Sequence, residues 1–115
     1  MNLVLILKII CAVLTILVGV VSVIRPTSVY EFTGLQATGP RGITEIRSIL
    51  GAVFIGLGLA PLLLGLNPAA FRAAGITYLA VALVRLVSIF LDGSSVQSNW
   101  ISVGSEIVLG VILLL

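Results

Sequence analysis

Five ionisable side chains stand inside or at the entry of apolar runs: Lys8, Glu45, Arg47, Arg85 and Glu106. Two Arg and two Glu have complementary chemistry. A guanidinium presents five N–H donors in a planar fork, and an ionised carboxylate only accepts. In apolar surroundings an unpaired charge is very costly, so pairing is expected whatever the function. Two readings follow and overlap. The quartet fixes which helix meets which, or it lines a polar pocket for an anionic headgroup, a quinone-like head or a small solute. Proton-coupled transport is a third, lesser use of the same groups. Asp92 flanks the set and completes the candidate cluster Glu45, Arg47, Arg85, Asp92 and Glu106.

The missing residues bound the chemistry. There is no His, so imidazole–zinc sites, His-ligated haem and Ser-His-Asp triads each lack a member. Cys11 is the only cysteine, which excludes a disulfide within the chain and a C-x-x-C redox pair. The formal charge of +2 rests on ten charged residues, six basic and four acidic. That is too sparse for the clustered basic face of a nucleic-acid binder. No catalytic residues, no metal site and no cofactor are expected, and the chain is read as non-enzymatic.

The setting for these groups follows from composition. Of 115 residues 60% are hydrophobic and 9% charged, and the mean hydropathy is +1.35. Soluble domains carry about 25% charge. A water-soluble domain this small leaves about a third of its surface wet and has nowhere to hide so much apolar area. The solvent must be lipid.

Four stretches suit a bilayer core, which needs roughly 20 apolar residues in a helix. They are residues 3–24, 43–66, 70–91 and 98–115, within a single domain 1–115. The expected fold is an all-α, up-down bundle of four transmembrane helices. A cleaved signal peptide fits the first span poorly. Lys8 lies within its apolar core rather than before it, and no small-residue cleavage site follows. Lys8 is expected to snorkel to the headgroups, and Pro61 to kink the second span. The connections are Asn67-Pro68-Ala69, the polar loop 92–97 and a longer segment, 25–42. The middle of that segment, Val29-Tyr30-Glu31-Phe32, reads equally as an interfacial piece or as an exposed loop. Trp100 and Tyr30 suit an aromatic belt. The Lys and Arg balance leaves orientation open.

Up-down topology brings the start of span two, the end of span three and the start of span four to one membrane face. At 1.5 Å per residue, Glu45, Arg47, Arg85 and Glu106 then lie within roughly 3–12 Å of that face. Periodicity supports their convergence. Ser98, Ser102, Glu106 and Gly110 form one stripe with Ser105 beside it, and Tyr78, Arg85, Ser88 and Asp92 form another. On span two, Arg47, Gly51 and Gly58 share a face, and Thr44, Ser48, Ala52, Gly56 and Ala60 form a small-residue stripe suited to helix packing. The Gly51–Gly58 run lies in an apolar span and lacks the Lys-Ser/Thr ending of a phosphate loop.

The segment Gly39-Pro40-Arg41-Gly42-Ile43-Thr44-Glu45-Ile46-Arg47, with Gly51, Gly56-Leu57-Gly58, Arg85, Asp92-Gly93 and Glu106, resembles a bacterial family of small four-helix membrane proteins of unknown function. That family is akin to the DoxX-like membrane proteins. The resemblance spans the whole chain and is sharpest at G-x-x-E-x-R. It implies that Glu45, Arg47, Arg85, Asp92 and Glu106 are signature residues and that the location is the bacterial cytoplasmic membrane. Cysteine-based redox roles do not fit a lone Cys11. Small multidrug transporters need an acid in helix one, where this chain has Lys8. The glycine-arginine pattern of fluoride channels is not visible. The first expectation for function is an accessory or assembly subunit packed against other membrane protein subunits. The alternative is a binding or carrier protein for a lipid, quinone-like or other small amphiphile. Membrane lipid is a partner in either case, and nucleic acid in neither.

Overall fold

The computed structural model describes residues 1–115. All regular structure is helical. Helix α1 (Leu3–Ile24) opens where the Asn2 side chain accepts from the Leu5 N–H at 2.8 Å, an N-cap that satisfies one orphan donor. It stops at Arg25, because a residue before proline is pushed out of helical geometry. A 3₁₀ turn (Pro26–Ser28) leads into the short α2 (Val29–Thr33), which ends on Gly34 at φ 73°. The segment between the first two spans is thus partly helical. It buries Pro26 and Val29 and leaves Tyr30 and Phe32 exposed.

Helix α3 covers Pro40–Leu63, rather than the expected 43–66. Both shifts have local causes. Proline is pre-organised for the first turn of a helix, so α3 starts at Pro40. At the other end Gly65 adopts φ 68° and the Leu66 N–H bonds the Pro61 carbonyl at 2.8 Å. That is a Schellman stop, for which glycine is favoured. The helix runs on through Pro61. A wide π-helical stretch lies earlier, at Ile46–Ala52, in which the Val53 N–H reaches back five residues to the Ser48 carbonyl. Helix α4 (Pro68–Leu91) is capped by the Asn67 side chain on the Ala69 N–H at 2.8 Å, and α5 (Gln97–Leu114) closes the bundle.

The helices associate as two close pairs. Helix α1 lies along α3, and α4 along α5; the pairs meet each other more sparsely. Glycine sets the approach in both. A Cβ on Gly58 would sit 2.5 Å from the Ala12 carbonyl oxygen, and one on Gly75 would sit 2.8 Å from that of Gly110. In lipid, where no hydrophobic drive brings helices together, such backbone proximity is the main source of packing energy. Between the pairs, one end of the bundle is filled by Cys11, Ala12, Phe71, Ala74, Tyr78 and Leu113.

Lys8 belongs to this sealed end and does not snorkel. It is 7% exposed, and its Nζ lies 5.8 Å from the centre of the Phe71 ring. The cause is its phase. Lys8, Cys11, Ala12, Thr15, Gly19 and Ser22 recur every three or four residues and form the buried stripe of α1. The ammonium takes the π face of Phe71 in place of an acid.

Only 22 of the 115 residues are buried. Leu, Val and Ile side chains lie exposed on all four long helices, including Leu17, Val53, Leu83 and Val108. So large an apolar surface marks a membrane contact. The four long helices are each long and apolar enough to cross a bilayer, and the protein is an integral membrane protein.

Candidate functional site

The end of the bundle opposite Lys8 is not filled. A cavity of about 270 Å³ lies between the two helix pairs. Val18 and Ser22 of α1, Leu50 and Phe54 of α3, and Phe32 and Thr33 of α2 form one side of it. Tyr78 and Arg85 of α4 and Ser98, Ser102, Ser105 and Glu106 of α5 form the other. Both sides are mixed, with Ile101 and Leu109 also on the second, but the charged groups and most of the hydroxyls come from the second pair.

Arg85 and Glu106 are joined. The Arg85 Nε donates to both carboxylate oxygens, at 3.0 and 3.1 Å, and Nη2 lies 2.8 Å from Oε1. The side chains are 34% and 11% exposed. Nη1 donates to the Asn99 Oδ1 at 3.2 Å, and the Asn99 Nδ2 donates to the Ser94 carbonyl at 3.0 Å. Asn99 therefore ties the guanidinium to the α4–α5 loop. One N–H on each Nη remains without a partner in the chain, since a guanidinium has five. The pair is electrically neutral and still has donors to offer.

A second polar contact forms the floor. The Thr15 hydroxyl donates to the Cys11 carbonyl at 2.8 Å and lies 2.5 Å from the Tyr78 hydroxyl. A hydroxyl has one proton, and Thr15 has committed its own, so Tyr78 is the donor between them. This bond links α1 to α4 and joins the two helix pairs.

The expected quartet is brought together only in half. Glu45 is 57% exposed at the side chain and faces Arg41, one turn before it, at 3.7 Å. Arg47 is exposed and has no acidic partner. Both sit on the outside of α3. The reason is the π stretch. Its i, i+5 repeat puts Ile46, five residues before Gly51, on the buried face with it, and leaves Arg47 outside. Gly51 and Gly58 do face α1, whereas Arg47 turns away. Asp92 is exposed beside Arg85 and lines an outer groove with it rather than the cavity.

The stripe on α5 behaves as its spacing implies for Ser98, Ser102 and Glu106, which all line the cavity with Ser105. Gly110 instead packs against Leu79 and Gly75. Asn99, Thr15 and Ser22 are site residues that sequence reasoning did not single out. Asn99 gives no periodic signal at the start of a helix, and Thr15 and Ser22 were visible only as interruptions of an apolar run. Trp100 packs edge-on against Phe90, with centroids 6.1 Å apart, and its Nε1 donates to the Ser95 Oγ at 3.0 Å.

In sum of chemistry, the site offers hydroxyls, a carboxylate and spare guanidinium N–H groups inside an apolar shell. It holds no group of three or more Cys, Asp or Glu side chains placed for a metal. Compared with known proteins, the chain matches no curated protein and no solved structure. The family model described as "Domain of unknown function (DUF4345)" matches residues 3–115. With nearly its whole length inside that match, the chain belongs to the DUF4345 family of unknown function.

Proposed function

We propose that this protein binds a small amphiphile, its polar head in the cavity beside Arg85 and Glu106 and its apolar part between the helix pairs. One observation carries the reading: a neutral, donor-bearing ion pair walls an open cavity inside an otherwise apolar bundle. A pair that only held helices together would need neither an open cavity beside it nor unused donors. Here the guanidinium keeps unused N–H groups and the cavity wall adds hydroxyls. Such sites, apolar with a few convergent polar groups, are typical of small-molecule pockets. The reading is of a binding or carrier protein and not of an enzyme. It includes a bacterial cytoplasmic-membrane location and kinship with DoxX-like proteins, which rest on the Gly42-x-x-Glu45-x-Arg47 entry and the later Arg85, Asp92 and Glu106.

The test is native mass spectrometry of the protein extracted gently from its own membrane. Wild type is expected to carry a defined small mass. The double variant Arg85→Met with Glu106→Leu is expected to fold and lose it. A wild type that flies empty, or a double variant that keeps the mass, contradicts the reading.

A second reading, an accessory or assembly subunit, has its own support on α3. Of the expected small-residue stripe, Thr44, Ser48, Ala52 and Gly56 are exposed and only Ala60 is half-buried, and a Cβ on Gly56 would meet nothing within 4 Å. The stripe is not used within the chain and offers a packing face to another membrane subunit. Co-purification of a larger complex that Gly56→Leu disrupts would favour it.

A further inference from the structure

Two acids, Glu31 and Asp92, have no ion pair in the chain, and Asp92 is the one at the end of a long helix. Its carboxylate has neither a hydrogen bond nor an ion pair within the chain, and it does not line the central cavity. It stands instead at the mouth of an outer groove of about 560 Å³ along α4. The groove has two halves. Near the membrane face it is polar, with Arg85, Ser88, Asp92, Ser94 and Asn99; deeper it is apolar, with Ala80, Val81 and Val84. Ala80, Val84 and Ser88 follow at intervals of four, so the groove runs straight along the helix.

Its length matches one leaflet. Asp92 and Ala80 are twelve residues apart, about 18 Å along the axis. Half of a hydrocarbon core is about 15 Å. The polar end therefore lies at headgroup level when the apolar end reaches the bilayer centre. Charge supplies the rest. Arg85 holds spare N–H donors for a phosphate. Asn99 ties it to the Ser94 carbonyl, two residues beyond Asp92. The free Asp92 carboxylate, two helical turns further toward the face and lining the same groove, suits an ammonium. An anionic lipid would meet the phosphate donor but also two carboxylates, Glu106 on Arg85 and Asp92 at the rim.

We infer that this groove is a specific site for a zwitterionic phospholipid with a primary ammonium, phosphate toward Arg85, ammonium toward Asp92 and one acyl chain along Ala80 and Val84. The groove shares Arg85 and Asn99 with the cavity of the proposed function and is set apart from it by Asp92, Ala80, Val81 and Val84, which the cavity lacks.

The experiment is a native mass spectrometry titration of the detergent-solubilised protein with three probes of identical acyl chains: phosphatidylethanolamine, phosphatidylcholine and phosphatidylglycerol. Phosphatidylethanolamine is expected to bind at least fivefold more tightly than phosphatidylglycerol. Phosphatidylcholine falls between, because its quaternary ammonium carries charge but donates no hydrogen bond. Asp92→Asn is expected to abolish the preference and leave phosphatidylglycerol binding no weaker. Val84→Trp, which obstructs the apolar half, is expected to weaken all three. Equal retention of the three lipids by wild type, an unchanged preference in Asp92→Asn, or no effect of Val84→Trp would mean annular lipid only and overturn the assignment. None of these changes touches the cavity lining, so loss of the cavity's small mass and loss of lipid preference are separate results.

Discussion

Arg85 and Glu106 are the pair on which the bundle's polar end depends, and their energetics are asymmetric. Removing one partner strands a charge in low dielectric, which costs about 3–5 kcal/mol, whereas replacing both by apolar residues of similar volume is often neutral. Arg85→Met alone and Glu106→Leu alone are therefore each expected to destabilise by about 3 kcal/mol. The double variant is expected to recover more than half of the summed loss. Chemical unfolding in mixed micelles measures this, and a double variant no more stable than the worse single would refute the pairing. Tyr78 offers a milder case. Tyr78→Phe deletes its donation to Thr15, but Thr15 keeps its bond to Cys11. The expected loss is about 1 kcal/mol, read in the same experiment. A loss above about 3 kcal/mol would show that the floor of the cavity carries more than one hydrogen bond.

How much of the site the sequence revealed also divides by residue. Arg85 and Glu106 were legible because short connections force spans three and four to run antiparallel, and depth from a shared face then follows from counting. Glu45 and Arg47 passed the same depth test and failed on rotation. Depth survives a π stretch almost unchanged, but phase does not, and nothing in Ile46-Arg47-Ser48-Ile49-Leu50 announces the extra residue. Lys8 failed differently. Its position near a face suggested snorkelling, yet the stripe it shares with Cys11, Ala12, Thr15, Gly19 and Ser22 was already in the sequence and points it inward.

At the scale of elements, the helices were read well because lipid demands long apolar runs, and α1 fell on its expected bounds. The errors lay where local turn chemistry outranks hydropathy: Pro40 starts α3 early, and the turn at Gly65 ends it at Leu63 although Leu64 and Leu66 are apolar. Glycine also sorts the packed faces from the open ones. Gly75→Ala puts a Cβ 2.8 Å from the Gly110 carbonyl oxygen, so α4 and α5 must separate. Overpacking of this kind costs about 1–3 kcal/mol. Gly104→Ala on the open face of α5 meets nothing within 4 Å and is expected to gain about 0.5–1 kcal/mol from helix propensity. Thermal denaturation in detergent distinguishes the two; equal effects at both sites would remove the seam between α4 and α5 from the account.

At the scale of the whole molecule, the two close pairs leave one end sealed by aromatic and aliphatic side chains and the other open and polar. Sparse contact between the pairs leaves room for the cavity, and the Thr15–Tyr78 bond ties α1 to α4 at its floor. The central claim is that the cavity's guest is a small molecule rather than another helix. It is tested most directly by placing a photo-crosslinking amino acid at Ser102, on the cavity wall, and irradiating native membranes, with the same residue at the lipid-facing Val108 as reference. The account predicts that position 102 yields a discrete low-mass adduct distinct from the bulk-lipid adducts at position 108. Adducts at 102 that are only bulk lipid, only protein, or none at all would contradict it.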